Sequence, residues 1–177
     1  MGRPKQLVPW EGRPLLEHVV ARVRAWPVVE VVVVLGAFEE QILEQVDLGE
    51  ALVVINPEWR EGIASSLRAG LDALVREARI ARTFIALGDQ PGIPAEVPPA
   101  LLSGQEESRR PVAVPVYRFQ RANPVLVERS LWPRLMSLSG DHGAGGLLRA
   151  HPGWVTEVRF DFLAPGDVNL PEDVEGR

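Results

Sequence analysis

The sequence predicts a single α/β domain over residues 1–177, built on a Rossmann-like, doubly wound and mostly parallel sheet. The length suits one domain, and 46% apolar with 24% charged residues is typical of a globular chain with a substantial core. Runs of β-branched residues without alternation, such as VVEVVVVLG at 28–36, indicate strands buried on both faces. These runs alternate with amphipathic helical patterns, which predicts right-handed βαβ crossovers.

The first half of the chain gives the clearest elements. Pro14 starts an amphipathic helix because proline is favoured in a first helical turn, and apolar residues follow at helical spacing. Leu67, Leu71 and Leu74 mark the strongest helix. In order, we expect a helix from Pro14, a strand at 28–36, a helix at about 39–46, a strand at 51–56, a helix at 64–79 and a strand at 82–91.

The second half is less regular. The segments RRPVAVPVYRF (109–119) and ANPVLVE (122–128) read as two strands that flank a turn near 118–122. We expect helices at about 129–138 and 143–151, a strand at 154–160 and a short helix after Pro171.

Composition excludes several classes of function. A net charge of −5 without a long basic run argues against a nucleic-acid partner. The chain has no cysteine, so disulfides, thiol nucleophiles and Cys-bound metals are excluded. The apolar runs are too short to span a bilayer, which predicts no membrane partner and a cytoplasmic location. Three scattered histidines and the lack of G-x-S-x-G disfavour a histidine metal site and a serine hydrolase.

Ligands of an open parallel sheet bind beyond the carboxyl ends of its strands, and Asp89 falls there. A carboxylate at a strand tip can coordinate Mg²⁺ together with substrate phosphates. An ordinary turn aspartate is an equally good interpretation of Asp89 alone. Asn169 or Asp167 in the tail GDVNLPED could supply a second oxygen ligand.

Two further segments could bind a nucleotide. Gly62, Ser65 and Ser66 open the strongest helix, where free N–H groups and hydroxyls suit a phosphate, a ribose or a base edge. Plain serine capping is the alternative, and it is the commoner one. The first residues, MGRPK, look like the second half of a phosphate-binding loop, although no buried strand precedes them.

Four ordered blocks, together with this opening, resemble one family. They are NPEWREGIASSLRAGL, LGDQPGI, RANPVLVERSLWPRLMSLSGDHGAGGLLRAHP and GDVNLPEDV. With MGRPKQLVPWEGRPLLEHVV, they are similar to the molybdenum cofactor nucleotidyltransferases in the same order along nearly the whole chain. The cytidylyltransferase branch is the most similar, and the guanylyltransferase branch, which makes the molybdopterin-guanine dinucleotide, is its near neighbour.

The resemblance implies a nucleotide-diphospho-sugar-transferase-like fold, Mg²⁺ as cofactor and CTP or GTP as substrate. The molybdopterin cofactor is then the acceptor, pyrophosphate is released, and a molybdenum enzyme is a possible partner. It assigns the site residues by role: Lys5, Arg3 and Asp89 to catalysis; Gly2, Lys5, Gly62, Ser65 and Ser66 to the nucleotide; Arg121, Asn123, Gly140 and Asp141 to the acceptor; Asp89 and Asn169 to the metal.

The sequence also departs from the family pattern. Asn169 stands where this branch usually has aspartate, and RANP replaces the usual R-G-H-P of the acceptor block. Met1 coincides with the Met of the family's R-M-G-x-P-K loop, so we expect the first, central strand and half of the loop to be absent from this chain, through a start codon placed too late or a truncation. Two alternatives follow: transfer to another phosphorylated acceptor, such as a sugar phosphate, or a non-catalytic nucleotide-binding module.

Overall fold

The chain folds as strands covered by helices in a computed structural model, which describes residues 4–166 and 168. The strands are β1 (Pro9–Trp10), β2 (Arg13–Pro14), β3 (Val32–Leu35), β4 (Leu52–Ile55), β5 (Arg82–Ile85), β6 (Val112–Tyr117), β7 (Gln120–Arg121), β8 (Val125–Glu128) and β9 (Val155–Phe160). The α-helices are α1 (Leu15–Arg24), α2 (Glu39–Gln45), α3 (Ile63–Val75), α4 (Val97–Ser108), α5 (Trp132–Met136) and α6 (Ala144–Ala150). The predicted α/β class is confirmed.

The strands form two main groups with mixed directions. β3 and β4 pair in parallel, from Val32 opposite Leu52 to Leu35 opposite Ile55. The second group has the order β5-β8-β6-β7, and β9 pairs with β6 in parallel. β8 is antiparallel to both β5 and β6 because it returns from β6 through the short strand β7.

A gap separates the two groups at the centre of the sheet. Leu52 N–H donates to the Val31 carbonyl and Asn56 N–H to that of Leu35, so the backbone groups of Val32 and Val34 point away from β4. Arg129 N–H donates to Ala81, so the backbone groups of Arg82 and Phe84 likewise point away from β8. No strand in the described part of the chain pairs with either of these two edges.

A cavity of about 570 Å³ occupies this gap. β3 and β5 form two of its sides, and α1 and α3 cover the other two with apolar side chains such as Leu16, Val20, Leu67 and Leu71. These walls are what a two-sided buried strand requires: open backbone groups at both edges and apolar surfaces above and below. The expected gap at the centre of the sheet is therefore present among the described residues.

Several element boundaries differ from the sequence-based expectation. The strand predicted over 82–91 ends at Ile85, and turns follow at 88–89 and 91–92. The helix predicted over 129–138 is a 3₁₀ turn at Arg129–Leu131 followed by α5, whose Pro133 lies in the first turn. The hairpin of β1 and β2 was not predicted. The short helix expected after Pro171 lies outside the described residues.

The core covers both faces of the second strand group. Trp132 of α5 packs with Leu71 of α3 and with Val112 and Val127 on one face, and Leu101 of α4 packs near Tyr117 on the other. Within residues 4–166 and 168, none of the helices has the length and apolar character that crossing a membrane requires.

His18 is a buried ionisable group of α1, only 5% exposed. Its Nε2 accepts a hydrogen bond of 3.2 Å from Arg22 Nε, and its Nδ1 lies 3.7 Å from a carboxylate oxygen of Glu11. Burial lowers the pKa of His18 below 6.5; Glu11 opposes this shift, while Arg22 and Arg13 reinforce it. The folded protein therefore favours neutral His18.

We expect stability to fall as the pH drops below 6.5. The unfolded chain protonates this histidine at a higher pH than the folded chain does, so acid favours unfolding by at most about 1.4 kcal/mol per pH unit from this group. Urea unfolding at pH 7.5 and 5.5 measures the difference, and His18→Gln should reduce it. His142→Gln, at an exposed position, is the matched control. An equal pH dependence in wild type and His18→Gln would contradict the assignment.

Candidate functional site

Lys5 and Asp89 meet at the carboxyl end of β5. Lys5 begins a short 3₁₀ helix, Lys5–Leu7. The Leu7 N–H donates a hydrogen bond of 3.0 Å to the Pro4 carbonyl and closes this turn. Its Nζ forms an ion pair with Asp89 Oδ2, and the Asp89 side chain is 15% exposed. The fold thus joins two of the predicted catalytic residues across 84 positions of sequence.

The second carboxylate oxygen of Asp89 fits a cation. Oδ1 is buried and has no hydrogen-bond partner in the described part of the chain, which leaves a hard acceptor open beside the ion pair. No group of three or more His, Asp or Glu residues suited to a metal occurs within residues 4–166 and 168.

The tail of the chain reaches the same place. Val168 N–H donates to the Asp89 carbonyl at 3.0 Å, and its side chain is buried against α1. Asn169, predicted as the second metal ligand, follows Val168 in sequence but lies outside the described residues. Gly2 and Arg3, predicted for phosphate binding, also lie outside them.

A second cavity of about 510 Å³ adjoins Lys5. Gly36 and Gly88, which follow β3 and β5, line it together with Lys5 and Phe38. A Cβ at Gly36 would lie 2.5 Å from the Cβ of Trp59, so only glycine allows this approach. Sequence reasoning did not select Gly36 or Phe38, although a glycine directly after a buried strand is a usable signal.

The start of α3, which is also predicted to bind the nucleotide, follows the carboxyl end of β4. Gly62 precedes the helix with φ near +100°, a conformation that favours glycine. Neither Ser65 nor Ser66 occupies the N-cap position, which is Gly62 itself. The Ser65 hydroxyl is buried and donates to the Gly62 carbonyl at 2.8 Å, whereas Ser66 lines the central cavity.

Gly140 and Asp141 dock on this helix start. Ala64 N–H donates to the Gly140 carbonyl at 3.1 Å. A Cβ at Gly62 would come within 2.5 Å of an Asp141 carboxylate oxygen and of the Gly140 carbonyl carbon. Two residues predicted to bind the acceptor therefore lie against one predicted to bind the nucleotide.

Arg121 and Asn123, predicted to bind the acceptor as well, have other neighbours. The Arg121 guanidinium forms an ion pair of 2.7 Å with Glu157 on β9. The Asn123 carbonyl accepts a 3.1 Å hydrogen bond from the buried Tyr117 hydroxyl, whose pKa burial raises far above its usual range. Of the four predicted acceptor residues, Gly140 and Asp141 therefore contact the start of α3. The other two, Arg121 and Asn123, contact β9 and β6.

An α/β fold with a lysine, a carboxylate and a hydroxyl-bearing helix start beyond the carboxyl ends of its strands has the form of a nucleotide-binding enzyme. The particular family follows from comparison with known proteins. The chain belongs to the MobA-like NTP transferase domain family, whose model matches residues 1–155.

Several individual proteins are similar to the chain along most of its length. The chain is 31% identical over 184 residues to nicotine blue oxidoreductase of Paenarthrobacter nicotinovorans, covering 99% of this chain and 85% of the relative. Among solved structures it resembles a homologue of Mycobacterium tuberculosis Rv0371c from Mycobacterium sp. strain JC1, with 30% identity, a TM-score of 0.87 and coverage of 99% and 86% of the two chains. Rv0371c itself, solved with manganese, has 24% identity, a TM-score of 0.83 and coverage of 98% and 91%, which shows the shared fold.

Proposed function

We propose that the protein is a Mg²⁺-dependent nucleotidyltransferase that transfers CMP, or GMP, from a nucleoside triphosphate to the phosphate of the molybdopterin cofactor. The family membership supports nucleotidyl transfer. The observation that carries the proposal is the Lys5–Asp89 pair at the tip of β5, where the buried Oδ1 of Asp89 has no hydrogen-bond partner among the described residues. The four family blocks described above favour the molybdopterin acceptor and CTP.

The proposed reaction needs alignment and charge neutralisation more than covalent help. An oxygen of the acceptor phosphate attacks the α-phosphorus, a P–O bond forms, and the bond to the pyrophosphate leaving group breaks. In this proposal the Lys5 ammonium group leaves the Asp89 carboxylate and pairs with an oxygen of the α-phosphate. Arg3 supplies a second positive charge. The acceptor oxygen is already ionised at neutral pH, so no general base is required.

Asp89, with Asn169, would hold the Mg²⁺ ion through side-chain oxygens. The bound ion supplies neutralisation of the triphosphate charge. Gly62 and Ser66 face the nucleotide in this proposal, whereas the buried Ser65 hydroxyl donates to the Gly62 carbonyl and supports the helix start. The loop with Gly140 and Asp141 lies against the same helix start. The manganese in the Rv0371c structure is consistent with a divalent ion in this fold.

Thermal unfolding with and without nucleotide tests the proposal. CTP with Mg²⁺ at about 100 times its Kd should raise the Tm by about 5–10 °C, and GTP should raise it less. Pyrophosphate release should then require the molybdopterin acceptor. Equal and negligible Tm shifts with all nucleotides, in this chain and in one with the central strand supplied, would contradict the proposal.

The altered acceptor block motivates a second candidate. Asn123 is held by Tyr117 through its backbone carbonyl, which leaves an amide side chain where the family usually has histidine. Pyrophosphate release with a sugar phosphate alone would favour transfer to that acceptor. Tight nucleotide binding without turnover would favour a non-catalytic module. Reduction of nicotine blue without pyrophosphate release would indicate the activity named for the Paenarthrobacter relative.

A further inference from the structure

Asn56 is a buried polar residue that directly follows β4, and it is 3% exposed. Its backbone N–H donates to the Leu35 carbonyl at 2.7 Å, which extends the pairing of β4 with β3 by one residue. The rigid end of a buried strand therefore fixes the position of this side chain.

The orientation of the Asn56 amide is determined by its neighbours. The Glu58 N–H, which can only donate, lies 3.0 Å from Oδ1, so this atom is the oxygen. The amide nitrogen then points at α3, where it donates to Ser65 Oγ at 2.9 Å and to Ser66 Oγ at 3.0 Å. Both of its protons are used.

This arrangement sets the direction of the two serine hydroxyls. Each serine oxygen accepts from Asn56, so each hydroxyl proton must point elsewhere. The Ser65 proton goes to the Gly62 carbonyl at 2.8 Å. The Ser66 hydroxyl has no other hydrogen bond within the described residues, and this serine lines the central cavity.

We propose that Asn56 is a positioning residue that makes Ser66 a hydrogen-bond donor toward the nucleotide. Ser65 supports the helix start and takes no direct part. The site at Ser66 selects a hydrogen-bond acceptor of the nucleotide and disfavours a donor such as an amino group, since two donors facing each other leave both unpaired. The identity of this ligand rests on the proposed function, whereas the donor and acceptor directions of the hydrogen bonds among Asn56, Ser65 and Ser66 do not.

A double-mutant cycle with CTP and Mg²⁺ tests the ligand part of the inference. Ser66→Ala should weaken binding about fivefold to tenfold, the usual loss for one hydrogen bond, and Asn56→Ala should do so to a similar extent. The double variant should bind no more weakly than the single ones, because Asn56 acts through Ser66. Ser65→Ala is the matched control: it should lower the Tm of the free protein and change affinity less than twofold.

Independent effects of Asn56→Ala and Ser66→Ala, or a loss with Ser65→Ala as large as with Ser66→Ala, would overturn the proposal. Asn56→Asp is a further test variant, because aspartate has nearly the same side-chain volume as asparagine. A carboxylate accepts from both serines, which turns the Ser66 proton inward, so this variant should lose at least as much affinity as Ser66→Ala. Wild-type affinity in Asn56→Asp would also overturn it.

Nitrogen-15 NMR of the free protein tests these hydrogen-bond directions without a ligand. Both side-chain amide protons of Asn56 should be protected from exchange in wild type, and one should lose protection in Ser66→Ala. Rapid exchange of both protons in wild type would refute the network. If the network is present and no nucleotide binds to wild type, the ligand part of the inference falls together with the proposed function.

Discussion

A chain in which an apolar strand and a short glycine-containing turn are joined ahead of Pro4 will melt about 5–10 °C higher than the 177-residue chain. The added strand should enter the gap between β3 and β5, parallel to β3, and bond the backbone groups of Val32, Val34 and Phe84. Pro4 and Lys5 line the cavity at the carboxyl ends of these strands, where such a strand would end.

The magnitude follows from burial of the added side chains. Burial of the added apolar side chains between α1 and α3 should outweigh the conformational entropy lost in ordering the backbone of the strand and turn. A net gain of about 3 kcal/mol corresponds to the stated rise for a domain of this size. Calorimetry measures the Tm, and hydrogen exchange should show slower amides in β3 and β5.

An extension of equal length with aspartate and proline in the strand is the matched control. Proline removes backbone donors, and a buried charge is costly, so this extension should leave the Tm unchanged. If both extensions raise the Tm equally, or if exchange in β3 and β5 stays the same, the gap does not receive a strand.

Asp89→Asn will reduce the affinity for Mn²⁺ in the presence of nucleotide and lower the rate of pyrophosphate release at least about 100-fold. The amide keeps the shape and one oxygen of the carboxylate but loses the negative charge that strengthens the binding of a hard cation. It also frees Lys5 from its partner. Electron paramagnetic resonance measures free Mn²⁺, and a pyrophosphate assay measures turnover.

Asp72→Asn removes the same charge from an exposed position of α3 and is the matched control. It should leave Mn²⁺ affinity and turnover within twofold of wild type. A nucleotide-dependent Mn²⁺ affinity that survives in Asp89→Asn would show that the carboxylate at the tip of β5 does not hold the cation.

Much of the fold could be predicted because local patterns encode it. The unbroken apolar run around β3 and the helical spacing of Leu67, Leu71 and Leu74 are properties of neighbouring residues. The antiparallel pairing of β8 with β6 agrees with the turn predicted near 118–122. The pairing of β8 with β5 could not be predicted in this way, because it joins segments that are far apart in the sequence.

Some residues of the candidate site could likewise be predicted from local patterns, and others could not. Asp89, Gly62 and the two serines follow strands or open a helix, so their positions could be predicted from segment order. Asn56 was not selected, because an asparagine at a strand end is usually a turn residue. Its role appears only when Ser65 and Ser66, nine and ten residues later, fold back onto it.

By itself the sequence determined the α/β class, the segments that follow the carboxyl ends of the strands, and the family, because apolar spacing and ordered motifs are properties of neighbouring residues. Only the tertiary structure decided which of these segments meet. The Lys5–Asp89 pair, the docking of Gly140 on α3 and the direction of the Ser66 hydroxyl all depend on hydrogen bonds and charges at distances of a few ångströms. Spacing along the chain does not fix such distances; the packing of the helices against the sheet does.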